Sequence, residues 1–219
     1  MFTERIDEPG LEPVTAADAA TFCRVDLPVA SPPESSLEYV QFLGFIIAAR
    51  SKVEDSTGRS LITQQWRMTR DHFPGVLHPQ NANQNYNTLQ PQYAQDPIQL
   101  WHGKVQSVES FTIVQPDGTT ATLTEDVDFI LLNDKLYPAL NKCWPSVACA
   151  PNAIVIEYTA GYGDEATDVP EGIKLAIMYL VSLWYAERLP IGVEPTSEIG
   201  MTYCSLLAPY KLVIFPETK

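Results

Sequence analysis

Apolar residues follow two different periods along the chain. Helical spacing governs residues 15–57 and 168–207, and two-residue alternation governs much of the stretch between them. A first short helix is expected from Thr15, whose hydroxyl can cap the N–H of Asp18, through the good to fair helix formers of residues 16–23. Pro28, Pro32 and Pro33 then forbid regular structure. A second helix is expected from Ser35 as N-cap, with Glu38 reaching back in a capping box, to about Thr57. Gly58 would supply its left-handed C-terminal turn. Residues 39–49 of this helix are apolar nearly all the way round, so it must be covered on more than one side. It is either a central core helix or one shared between the core and a neighbouring subunit.

From residue 60 to 160 β-type runs replace helical spacing. Residues 64–69, 110–113, 120–124, 128–132 and 153–159 read as strands. Pro116-Asp117-Gly118-Thr119 and Asn133-Asp134 read as turns, and Ile154, Ile156 and Tyr158 should share one face. Within this block, residues 72–95 carry no Asp, Glu, Lys or Arg, and 80–95 hold nine Asn or Gln. That composition reads as an exposed surface loop able to hydrogen-bond a partner. Helix returns at Asp168-Val169-Pro170-Glu171, a second capping box. Ile173, Ala176, Ile177, Leu180, Val181 and Trp184 then form one stripe until Leu189-Pro190. A last helix is expected over 197–207, followed by an apolar, β-prone tail at 210–215.

The fold class is therefore α+β: a helical bundle of about four helices with an inserted antiparallel β domain. The expected division is a helical core of 1–59 and 166–208, a β insertion of 60–165, and an extended tail of 209–219.

Composition narrows the function. The 219 residues are 45% hydrophobic and 19% charged, which supports a packed core. No run of eighteen apolar residues exists to span a membrane, and the charged first ten residues lack the apolar stretch of a secretory signal. With 27 acidic against 14 basic residues the net charge is −13, which argues against gripping nucleic acid by its phosphates. It suits either plain solubility or a surface past which DNA slides. Cys23, Cys143, Cys149 and Cys204 form no CxxC pair and read as reduced thiols of a protein assembled in the cytoplasm. A Cys143–Cys149 bridge stays open if the protein meets oxidant.

Candidate chemistry is sparse. Gly161-Tyr162-Gly163-Asp164-Glu165-Ala166 has the form of a nucleotide fingerprint. Asp164 and Glu165 would repel a pyrophosphate, however, and the helix begins beyond the glycines, so a plain glycine turn is expected. His72, His78 and His102 lack the spacing of a metal site. Trp66, Trp101, Trp144 and Trp184 are spread over separate elements and read as core anchors. Arg67 and Arg70 would fall on opposite faces of one strand, so no basic patch forms. No catalytic residue, cofactor or metal is expected, and the chain is not read as an enzyme.

Several segments, in order, resemble the head–tail connector (adaptor) proteins of long-tailed phages, prophages and gene transfer agents. They are Glu12-Pro13-Val14-Thr15 with Cys23-Arg24-Val25-Asp26; Ile47-Ala48-Ala49-Arg50 through Val53-Glu54 to Thr57-Gly58-Arg59; and Leu61-Ile62-Thr63-Gln64-Gln65-Trp66 with Phe73-Pro74. Residues 154–163, Val169-Pro170-Glu171, Trp184-Tyr185 and Leu206-Leu207-Ala208-Pro209-Tyr210-Lys211 complete the series. The Asn/Gln-rich loop and residues 191–205 depart from it.

The resemblance implies a structural virion protein of the neck, assembled in the host cytoplasm into a ring of twelve copies under the portal. Its partners would be itself, the portal, and a head-closure (stopper) or tail-completion protein, with double-stranded DNA passing through an acid-lined lumen and no membrane involved. On this expectation Phe42, Phe45, Ile46 and Ala49 are the candidate self-association residues, and Gly44 and Ala48 allow close helix approach. Tyr210, Leu212, Val213, Ile214 and Phe215 are the candidate portal-docking residues. The alternative is a virion-surface β domain that recognises a host glycan through the 72–95 loop.

Overall fold

The computed structural model describes residues 1–27, 36–74, 96–186 and 197–212. They form two compact units, each discontinuous in sequence. Met1–Glu8 and Gln64–Ala160 make a β unit; Pro9–Thr63 and Gly161–Lys219 make a helical unit. Residues 1–8 were expected with the helices, and 60–63 and 161–165 with the strands.

In the helical unit, α1 (Ala16–Phe22) opens as expected, with the Thr15 hydroxyl accepting the Asp18 N–H at 3.1 Å. Its Ala16, Ala19 and Ala20 are small enough to bring α1 close to the core. The second helix, α2 (Leu37–Thr57), starts one residue later than expected. Ser36, not Ser35, holds the extended cap conformation, and its hydroxyl accepts the Tyr39 N–H at 3.1 Å. Ser35 lies outside the described residues. Gly58 at φ 68° ends α2 in the left-handed turn the sequence requires.

One stripe of α2, Phe42, Ile46, Ala49 and Val53, is fully buried at the spacing of one helix face. It joins Leu61, Ile173, Ala176, Ile177, Val181 and Leu207 in a single apolar core. Phe42 also stacks on Tyr185 with ring centroids 4.9 Å apart. A buried charge network crosses this core. Arg50 donates to Glu12 at 2.9 Å and to Glu54 at 3.0 Å, and the other Glu54 oxygen accepts the Leu61 N–H at 3.0 Å.

The third helix, α3 (Glu171–Ala186), begins differently from the expected capping box. Asp168 closes a preceding 3-10 turn, Ala166–Asp168, by accepting the Glu165 N–H. The Pro170 carbonyl takes the first helical N–H groups, from Ile173 and Lys174. The expected stop at Leu189-Pro190 lies outside the described residues. The last helix, α4 (Ser197–Leu207), has the expected bounds and runs into a 3-10 turn, Ala208–Tyr210. Gly161 lies against the backbone of Ile62 and Thr63, where any Cβ would come within 2.7 Å, so this turn admits only glycine.

The β unit holds two antiparallel sheets. The first orders its strands β1 (Phe2–Arg5), β2 (Gln64–Arg70), β8 (Ile154–Ala160), β4 (Val105–Val114) and β5 (Thr120–Thr122). The second orders β3 (Ile98–Gln99), β7 (Lys135–Pro138) and β6 (Phe129–Leu132). Strand β8 alternates strictly, with Ile154, Ile156, Tyr158 and Ala160 all buried. Strand β4 is longer than expected and carries two register shifts against β8, which interrupt its alternation and concealed its first half in the sequence. Asn133 and Asp134, both at positive φ, turn β6 tightly into β7. Between the sheets lies an aromatic core: Phe73 stacks on Trp144 at 4.8 Å, and Phe111 meets Phe129 at 5.2 Å.

Candidate assembly surfaces

Large apolar side chains that stay exposed are informative when they lie in one line. On α2 the face opposite the buried stripe presents Leu37, Val40 and Ile47, which are 75%, 53% and 42% exposed. Gly44 and Ala48 are exposed on the same face, and a Cβ on Gly44 would meet nothing within 4 Å. The helix is thus two-faced, with one apolar stripe inward and an apolar ridge outward that is low at Gly44 and Ala48.

The residues expected to self-associate lie on the other face. Phe42, Ile46 and Ala49 are fully buried in the protomer's own core, and Phe45 is half-buried against it. The exposed apolar side chains of α2 are those of the ridge.

A groove on the same unit runs between α1 and the first turns of α3. Thr15, Asp18 and Phe22 line one wall, and Glu171, Lys174 and Met178 the other. Phe22 meets Tyr179 edge-on at 5.5 Å and is still 37% exposed.

The C-terminal segment is part of the helical unit as far as residue 212. Arg59 donates to the Tyr210 carbonyl at 2.8 Å, and the Leu212 N–H donates to the Thr57 carbonyl at 2.7 Å. Tyr210 and Leu212, expected in a free docking tail, are therefore engaged by their own protomer. Val213, Ile214 and Phe215 lie outside the described residues.

The β unit presents a polar sheet face crossed by a charge row. Arg67 on β2 pairs with Glu4 on β1 at 2.9 Å and with Glu157 on β8 at 2.8 Å, and Ser110 on β4 donates to Glu157. The hydrogen bonds from Arg67 hold the Glu157 carboxyl below the usual range. Arg70 is buried on the opposite face, as its odd spacing from Arg67 requires. Ile130 and Leu132 are exposed on the edge strand β6.

The chemistry-bearing residues remain scattered. Trp66 and Trp144 are core anchors as expected and Trp184 packs against the helical core, whereas Trp101 is partly exposed. His102 stacks on Trp66 at 3.4 Å, with Arg5 over the same indole at 5.3 Å. Burial first, and the Arg5 charge second, push His102 down to about 4. His78 lies outside the described residues, and among the described ones no three His, Cys, Asp or Glu side chains are placed to hold a metal. No disulfide joins any of the four cysteines, Cys143 and Cys149 included. The 161–163 segment is a tight turn whose Gly163 abuts the Asp168 carboxylate, an unfavourable neighbour for phosphate. No helix among the described residues is long and apolar enough to cross a membrane.

Four helices interrupted by an antiparallel β insertion, with an apolar ridge on the second helix, define an α+β chain among the described residues. The same fold occurs in gene transfer agent particles. A chain from the neck of an empty particle, computed with C6 symmetry, matches with a TM-score of 0.71 at 16% identity, over 98% of this chain and 97% of that one. A chain from the virion of a native gene transfer agent particle matches at 0.69 and 13% identity, with the same coverage. A third, from the neck of a native particle computed with C12 symmetry, matches at 0.64 and 16% identity, again over 98% and 97%. At these identities the likeness establishes the fold, from end to end. No protein-family model and no curated protein matches the chain.

Proposed function

We propose that this chain is a structural neck protein, a head–tail connector (adaptor) subunit that forms a ring beneath the portal of a tailed particle. One observation carries the proposal: the match to gene transfer agent neck chains spans both units and nearly the full length of each chain. A shared domain alone would cover one unit. The C6 and C12 symmetries of those necks suit a ring of twelve copies here. The ring extends the DNA channel and offers a platform to a head-closure or tail-completion protein. With a net charge of −13, its acidic side chains line the lumen and leave DNA mobile. The role is architectural, and catalysis plays no part in it.

The docking segment of this proposal narrows to Val213, Ile214 and Phe215, because Tyr210 and Leu212 are held by Arg59 and Thr57. Anchored at Leu212, the apolar tail extends the portal by strand pairing. Co-expression of the full chain with its portal protein tests the assignment. Electron microscopy should show a coaxial ring of this chain on one end of the portal. Portals that stay bare at saturating concentration would contradict it.

A further inference from the structure

We infer that the ring closes by a contact between unlike surfaces, with the α2 ridge of one copy seated in the α1–α3 groove of the next. The inference rests on the connector proposal for the existence of a ring, and on the helical unit alone for the contact.

The ridge and groove hold nearly all the large apolar side chains that the described helical unit exposes. These are Leu37, Val40 and Ile47 on the ridge, Phe22 in the groove, and Leu11 just before it. Their dimensions agree. Val40 to Ile47 is a two-turn rise, and so is Glu171 to Met178 along the groove wall, each about 10 Å. A helix laid between two others needs a low ridge, so that backbones approach closely.

Gly44 sits at the middle of that ridge. A glycine inside a helix weakens it, and no described residue occupies the space beside this one. Its smallness lets a second body approach the helix backbone closely.

The C6 and C12 symmetries of the matching necks point to a second copy as the occupant. The ridge faces away from the stripe that α2 packs toward α1 and α3, so ridge and groove are separate surfaces of one body. A surface that meets itself closes at two copies, whereas one that meets a different surface repeats around a ring.

Cysteine cross-linking reads the contact directly. In the full chain with Cys23→Ala and Cys143, Cys149 and Cys204 replaced by Ser, Val40→Cys marks the middle of the ridge and Asp18→Cys the middle of the groove. Oxidising the double variant should give a ladder running past dimers to the full ring, and neither single variant should cross-link. A dimer from Val40→Cys alone would overturn the unlike-surface contact. Rings visible by microscopy without a ladder would sink this contact and leave the connector proposal standing; no ring, alone or with portal, would sink both. Val40→Asp provides the second arm. It should abolish rings while leaving the melting curve of the chain unchanged, and Val40→Leu should keep them. Rings that survive Val40→Asp would also overturn the contact.

Discussion

The Glu54 carboxylate accepts the backbone N–H of Leu61 at 3.0 Å across seven residues, while its second oxygen holds Arg50. Arg50 is 2% exposed and also binds Glu12. One buried guanidinium thus ties the entry to α1, the middle of α2 and the segment after α2 together. Removing one partner of such a network strands buried charge. Arg50→Ala should cost about 3–5 kcal/mol in urea unfolding of the full chain. Arg50→Met with Glu12→Gln and Glu54→Gln should cost clearly less, because no charge is left uncompensated. Equal losses would refute the electrostatic account.

The two faces of α2 should respond oppositely to substitution. Phe42→Ala empties a fully buried site stacked on Tyr185 and should lower stability by about 3–5 kcal/mol. Gly44→Ala has open space for its Cβ and should raise protomer stability by about 0.5–1 kcal/mol. The same substitution thickens the ridge and should weaken ring formation. Denaturant midpoints and ring yield, measured on the same preparations, separate the two effects.

His102 makes stability depend on pH. Its folded value of about 4 lies below the ordinary 6.5, so the unfolded chain binds the proton more readily. Stability is complete above about pH 6.5 and falls as pH drops toward 4, by roughly 2–3 kcal/mol. Carboxylates held low, such as Asp128 and Glu157, add losses only near and below their ordinary values of 3.8 and 4.5. His102→Asn tolerates the positive φ of 65° and should flatten the slope between pH 6.5 and 4.5. An unchanged slope in thermal melts across that window would remove His102 as the cause.

Truncation has a defined boundary. Deleting 213–219 leaves the Leu212–Thr57 and Arg59–Tyr210 bonds in place, so folding and melting should be unchanged. Attachment to the portal should be lost. Portal binding by the truncated chain at full strength would discard the docking tail.

The helices were legible in the sequence because their signals are local. Thr15, Gly58, the stripe from Ile173 to Trp184 and the start at Ser197 each act within a turn or two. Strand β1 was not legible: it is four residues long, half of them charged, and forms through pairing of Glu4 with Arg67, sixty-three residues away. Strands β3 and β7 are too short to show alternation, and β7 ends in proline. The outward face of α2 was misjudged for a different reason. An all-round apolar helix does not declare which side is inside: Leu37 and Ile47 are as apolar as Phe42 and Ile46, and only packing against Ile173, Ile177 and Leu207 fixes the inward face.

The most direct measurement of the central claim is electron microscopy of particles made with this gene disrupted. The neck assignment predicts filled or leaking heads beside separate, finished tails, restored to joined particles by the intact gene. Complete tailed particles that merely fail to adsorb to cells would contradict it.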